Sequence, residues 1–351
     1  MYFLRKIFYG LVVMVLVVCI ITGIIFLAPV DPAQLTFGQR SDVSTVKAKT
    51  AELGLDQPLH IQLVRYLADL SPVSVLTVTP ESQRKYHFLP LKELSQDEAL
   101  VLKWPYLRES YQTGRPVAEI LADAIPSTAL LATSAMMLAI IIGVFMGVLA
   151  ALKAHSWLDY WISIVSVFGY SVPSYVAAMM FALIFGYAWS SWTGLEIQGS
   201  LRVINDFGEW QWRWQNLILP ALALGLRPVA LITQLTRSTM LDVLSQDYVR
   251  TARAKGLSEK TVLVKHALKN ALNPLISAVS GWFAALLTGA FFVESVFNFK
   301  GLGDVTVQAL LNFDIPVVLG SVLFASIVFI TVNIFTDMLY GWVDPRVRVG
   351  G

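Results

Sequence analysis

Residues 245–274 read SQDYVRTARAKGLSEKTVLVKHALKNALNP, a charged stretch set between two apolar runs, 217–240 and 275–297. Each flanking run is long enough to cross a bilayer, which takes about 20 mostly apolar residues. The polar stretch between them is therefore a loop at a membrane face. Asp247 opens a run of helix-forming residues, Tyr248-Val249-Arg250-Thr251-Ala252-Arg253-Ala254-Lys255. Gly256 ends that run, because glycine takes the left-handed conformation that closes a helix. Ser258 is the natural N-cap of a second helix. That helix sets Val262, Leu263, His266, Leu268 and Ala271 against Lys265 and Lys269, and Pro274 opens the next apolar run. Two short helices around a glycine bend thus project from the membrane. The small residues Ala252, Ala254 and Gly256 would let a partner's backbone come close. Plainer uses stand beside docking. The loop is also suited to lying on anionic lipid, each cation contributing about 1 kcal/mol, or to serving as a solvated connector.

Outward from this loop the chain is apolar almost throughout. Of 351 residues, 56% are hydrophobic and only 14% charged, where a soluble domain carries about a quarter. A net charge of +2 gives no ground for a nucleic-acid partner. The single cysteine, Cys19, excludes an internal disulfide and reads as a small buried apolar residue. Arg5 and Lys6 precede an apolar run over 7–30, too long for a signal-peptide core and without a clear small-residue cleavage site. It is expected to be a retained first span. Further spans are expected at 128–152, 158–189, 217–240, 275–297 and 317–342. The fold class is thus an all-α membrane protein of six transmembrane helices.

Lys and Arg orient the spans, since short cytoplasmic segments carry the excess. With the N-terminus inside, inner segments hold Arg5, Lys6, Lys153, Arg237, Arg250, Arg253, Lys255, Lys260, Lys265, Lys269, Arg346 and Arg348. Short outer segments hold Arg202, Arg213 and Lys300. Both termini are therefore predicted cytoplasmic, the last as a tail over 343–351. The chain then divides into a first helix (1–30), an extracytoplasmic cap (31–125) and a five-helix core (126–342) that includes the inner loop 245–274. Trp189, Trp192, Trp210, Trp212 and Trp214 cluster at the second outer loop, where an interfacial aromatic belt belongs. In the cap, 53–70 reads as an amphipathic helix and 73–78 as a short strand, while 81–108 shows little periodicity. Such a surface would meet a solute-binding protein or cover the pore, unless it is a solvated loop.

Charges within or beside spans are candidates for function. Arg227 lies inside the fourth span next to Pro228, as a pore-facing cation for a solute's carboxylate, in a structural pair, or at a misjudged span boundary. Glu294 lies near the outer end of the fifth, where it would line a gate, bind a cationic terminus or sit at the interface. Gly143 and Gly147 form a G-x-x-x-G that suits close helix contact, more naturally within the subunit than between subunits. The dipeptide Gly-Lys never occurs, so no phosphate-cradling P-loop exists and energy must come from a partner. The four histidines, His60, His87, His155 and His266, form no H-E-x-x-H, and there is no G-x-S-x-G. A membrane-anchored enzyme is poorly supported, no metal or other cofactor is implied, and a channel would leave the inner loop unexplained.

Asp247-Tyr248-Val249-Arg250-Thr251-Ala252-Arg253-Ala254-Lys255-Gly256-Leu257 resembles the cytoplasmic loop of binding-protein-dependent ABC importer permeases. The resemblance is to the dipeptide/oligopeptide/nickel branch. It continues in His266-Ala267-Leu268-Lys269-Asn270-Ala271-Leu272-Asn273-Pro274, in Leu53-Gly54-Leu55-Asp56-Gln57-Pro58-Leu59 and in Ser171-Val172-Pro173-Ser174. Val293-Glu294-Ser295-Val296-Phe297, Gly301-Leu302-Gly303 and Asp344-Pro345-Arg346 complete it. Arg250 and Thr251 stand where the broader family has Glu-Ala, as is similar to the peptide branch. Residues 71–109 look like an insertion. The resemblance implies a pore of two six-span permease subunits, identical or not, in a bacterial inner membrane. Two cytoplasmic ATPase subunits would dock below, with the loop around Gly256 as the coupling helix, and an extracytoplasmic binding protein would deliver solute. The solute would be a peptide or, alternatively, nickel or another small solute.

Overall fold

The computed structural model describes residues 2–27, 51, 56–95, 97–205 and 207–343. Its elements, in chain order, begin with helix α1 (Tyr2–Leu27), α2 (Leu59–Leu70), strand β1 (Val73–Thr77), α3 (Pro80–Lys85), β2 (Phe88–Glu93) and β3 (Glu98–Lys103). Then come α4 (Val117–Leu152), α5 (Trp157–Ser171), α6 (Ser174–Phe181) with a π-helical continuation Ala182–Ala188, β4 (Arg202–Ile204), β5 (Trp210–Trp212) and α7 (Gln215–Leu244). The chain continues through α8 (Asp247–Ala254), α9 (Glu259–Ala271), α10 (Asn273–Gly289), α11 (Phe291–Val296), α12 (Leu302–Leu311) and α13 (Ile315–Val343). The expected motif residues Leu53-Gly54-Leu55 and the tail after Val343 lie outside the described residues.

Among the described residues three helices are each long and apolar enough to cross a membrane: Val117–Leu152, Gln215–Leu244 and Ile315–Thr336. Two bent pairs qualify only as pairs, Trp157–Ser171 with Ser174–Ala188 at 104° and Glu259–Ala271 with Pro274–Leu287 at 46°. Within α1, Phe8–Gly23 is apolar but shorter. The six expected spans are thus three to five here. The expected third span is broken because Val172, at φ −74° and ψ 125°, is held extended by the proline that follows it. The helix that holds the expected second span begins before residue 128. Pro126 lies inside α4, eliminating one helical hydrogen bond without ending the helix. The residues before it, assigned from the sequence to the cap, are helical from Val117.

The described residues fall into two compact units. The larger is built mainly on Ala124–Val307. Its core joins Leu131, Ala135 and Ala139 of α4 to Leu224 and Ile232 of α7 and to Val293, Phe297 and Phe299. Small residues set the α4–α7 spacing. A β-carbon on Gly143 would lie 2.6 Å from the Ile232 side chain, and one on Gly147 would lie 2.6 Å from the Thr233 carbonyl oxygen. The G-x-x-x-G therefore serves contact within the subunit. Without a hydrophobic drive between helices in lipid, such close approach is what holds them.

The smaller unit comprises Phe8–Asp123 and Gln308–Ser326. Val18, Tyr66, Leu319 and Leu323 form its apolar centre. Strands pair antiparallel in the order β1-β3-β2, with a bulge between Pro90 and Lys92. Ala99, Val101 and Lys103 are buried on one face of β3. Residues 81–108, expected to lack periodicity, thus supply a helix and two strands. The alternation was masked because Val73, Val75, Leu89 and Leu102 make the opposite face apolar as well, and they are exposed. Asp69 ties the unit together, accepting hydrogen bonds from Tyr86 Oη at 2.7 Å and Arg108 Nε at 2.8 Å. Burial pushes the Tyr66 and Tyr86 hydroxyls up and that of Tyr106 to about 12, so this aromatic cluster stays neutral across ordinary pH.

Candidate functional site

The loop between α7 and α10 is a folded element with its own small core. Val249 and Ala252 of α8 are buried against Val262 of α9, with Val243 and Leu244 beside them. Gly256 adopts φ +78°. Its N–H donates to the Arg253 carbonyl at 2.9 Å, and the Leu257 N–H reaches back to the Ala252 carbonyl at 3.4 Å. This paired closure is the Schellman motif, which satisfies the last carbonyls of a helix and requires a left-handed residue. Ser258 caps α9, its Oγ accepting from the Thr261 N–H at 3.4 Å. Arg253 clamps the two helices through Glu259, Nε to Oε1 at 3.0 Å. Asn270 donates to Tyr248 Oη at 3.0 Å.

The outer surface of this element is polar. Asp247, Tyr248, Arg250, Thr251, Arg253, Ala254, Lys255, Gly256 and Leu257 are exposed. Arg250 sits 3.6 Å from Asp247. Ala252 is the exception to the expected docking set, because it packs inward and is 5% exposed. Its small size serves the α8–α9 contact. Nothing lies within 4 Å of a β-carbon built on Gly256, so the space beyond the bend is open.

Glu294 lies inside the chain and not on its surface. It is completely buried at the end of the core. Thr128 Oγ1 donates to its Oε1 at 2.8 Å. The Gly303 and Asp304 N–H groups donate to its Oε2 at 2.7 and 3.2 Å. The Leu302 N–H donates in turn to Thr128 Oγ1 at 2.7 Å. The carboxylate thus caps the first turn of α12, where unpaired N–H groups and the helix dipole favour negative charge. Gly301 and Gly303 leave room for it. A β-carbon on Gly303 would come within 2.4 Å of Phe291 Cα. The sequence showed Glu294 and the two glycines but gave no sign that they meet, and none at all for Thr128.

Sequence reasoning also missed an ion pair between the start of α5 and the last third of α7. Arg237 Nε and Nη2 bind Asp159 Oδ1 and Oδ2 at 2.5 and 2.7 Å, and the His155 N–H adds a bond at 3.0 Å. Arg237 had counted only as a positive-inside charge. Arg227 has no such partner among the described residues. It is exposed on α7, and its guanidinium lies 5.2 Å from the Tyr170 ring centroid.

Residues 139–349 match the family model of the binding-protein-dependent transport system inner membrane component, and residues 1–78 match that of its N-terminal region. The chain belongs to this family. It is an ABC importer permease, an inner membrane protein that passes the bilayer several times. Members work with ATPases, with the membrane around them and with a binding protein. A peptide transport system permease of Brucella abortus is 36% identical over 335 residues, covering 95% of this chain and 94% of that protein. The dipeptide transport system permease protein DppB of Alkalihalophilus pseudofirmus is 31% identical, covering 99% of each. The glutathione transport system permease protein GsiC of Salmonella typhimurium is 32% identical, covering 97% of this permease and 96% of that one. Among solved structures, the inward-facing MetNI methionine ABC transporter superposes with a TM-score of 0.53 at 15% identity. It covers 65% of this permease and 97% of the matched chain, which shows a shared fold.

Proposed function

We propose that this permease forms half of the pore of an ATP-driven importer for di- and oligopeptides, with α8, the Gly256 bend and the start of α9 as its ATPase-coupling element. The observation that carries the coupling role is the build of that loop. It is packed on its own core, closed by a left-handed glycine and turned outward with an exposed, polar surface. A mere connector needs no such internal order. Peptide as substrate is supported by the peptide, dipeptide and glutathione permeases to which the chain is similar along nearly its whole length.

In this reading both termini and the loop 245–274 are cytoplasmic, and a second permease completes the pore. Two ATPase subunits receive one such loop each. The extracytoplasmic binding protein meets the face that carries residues 31–125. ATP-driven closure of the ATPases pushes the loop, and its rigid attachment to α7 and α10 carries the movement to the spans.

The test uses the assembled transporter in proteoliposomes. Gly256→Trp should enter the membrane normally and still co-purify with the ATPases, yet lose peptide uptake. Uptake at the wild-type rate with the ATPases bound would defeat the coupling role. Wild-type permease that carries no peptide would defeat the substrate class.

A further inference from the structure

We infer that Arg227 and Tyr170 form an anion subsite in the wall of the translocation path, taking the terminal carboxylate of a peptide in transit. This deepens the peptide-importer reading and rests on it.

Three observations converge. Arg227 lies far from either end of α7. Helical rise puts it about 18 Å from Gln215 and about 25 Å from Leu244. A charged group at such depth is expensive in hydrocarbon and faces a bundle interior or water. Here it is exposed on the single chain, and no carboxylate pairs with it among the described residues. Its surroundings are the second observation. Tyr170, also exposed, offers its ring face to the guanidinium, a contact that holds a cation while leaving its N–H donors free. Those donors form a planar fork suited to a carboxylate.

The third observation is the backbone beside Tyr170. The 104° break between α5 and α6 leaves Ser171 and Pro173 exposed. Non-helical backbone at membrane depth is tolerated only where protein or a water-filled cavity covers it. Just past the break, Tyr175 and Phe292 pair at 6.2 Å with both rings exposed, adding an apolar wall of the kind peptide side chains require. A lipid-facing surface explains the two aromatic rings but neither the free cation nor the broken helix. A water-filled path explains all of them.

Two measurements test this in the full transporter. The first offers an equimolar tripeptide library as free acids and as C-terminal amides, at concentrations that saturate the binding protein. Arg227→Gln should lower free-acid uptake about tenfold or more, the scale of a lost charge-assisted hydrogen bond, and leave amide uptake near its wild-type value. Arg227→Lys should restore part of the difference. Equal loss for both libraries, or no loss, would overturn the subsite. The second puts Arg227→Cys into a Cys19→Ser background and applies a membrane-impermeant, negatively charged thiosulfonate with and without ATP. Labelling that free-acid peptides suppress supports the inference. An unlabelled thiol in both states would assign Arg227 to lipid or to a protein contact and end it. Absence of any peptide uptake by the wild type would instead refute the importer reading beneath it.

Discussion

Glu294 shows how one side chain is fixed by what surrounds it. Its carboxylate accepts three hydrogen bonds from Thr128, Gly303 and Asp304, with no route to solvent. Replacing it by alanine strands two backbone N–H groups and a hydroxyl in the core. Each orphaned buried group costs about 1–3 kcal/mol, so Glu294→Ala should lower the thermal midpoint of the detergent-solubilised permease by several degrees. Glu294→Gln keeps the shape and should lose clearly less. Gly303→Ala should be worse than either, because the added carbon meets backbone that cannot step aside. Equal midpoints for Gly303→Ala and wild type would show that the pocket is looser than its geometry. At Gly256 the physics is reversed. The space is open, and only the positive φ resists a side chain, at about 1–2 kcal/mol. Gly256→Asn tolerates that backbone, so it should fold as well as the wild type in a melting assay. Any loss of uptake it shows then reports a neighbour outside this chain.

At the scale of elements, the α4–α7 contact and the Asp159–Arg237 pair hold α4, α5 and α7 together. Gly147→Leu should force these helices apart, since even a β-carbon lies too close to the Thr233 carbonyl. Reduced yield of folded protein on size-exclusion chromatography measures this. Asp159→Ala leaves a half-buried guanidinium without its partner. The loss should approach, from below, the roughly 3–5 kcal/mol of a broken buried pair, because Arg237 keeps some access to water. Much of this level could be read from the chain alone. Apolar runs marked the spans because lipid demands them, and Gly256 and Ser258 marked the bend because helix ends have few chemical solutions. The break at Val172 was written in Pro173, yet the unbroken apolar run concealed it. The inward packing of Ala252 could not be told from the chain alone, for a related reason. Smallness in a sequence signals a close approach without saying from which side. The burial of Glu294 was not legible because its partners lie as far as 166 residues away, and no local pattern encodes such a meeting.

The whole molecule is divided into two compact units, and damage to one should remain there. Asp69→Ala removes the acceptor for Tyr86 and Arg108 in the smaller unit. Limited proteolysis should then cut between residues 71 and 108 while the α4–α11 core stays protected, since local opening follows local contacts. Simultaneous digestion of both units would show them to be one cooperative block. The Thr128–Glu294–Leu302 knot has a further consequence in time. A ribosome adds about 5–20 residues per second, so the 174 residues separating Thr128 from Leu302 take roughly 9–35 s to appear. For that interval the newborn helix α4 sits in the bilayer with its hydroxyl unclaimed. The early spans must therefore be threaded and held by the insertion machinery before their last fastening exists, and a chain truncated short of residue 302 is left permanently unlatched.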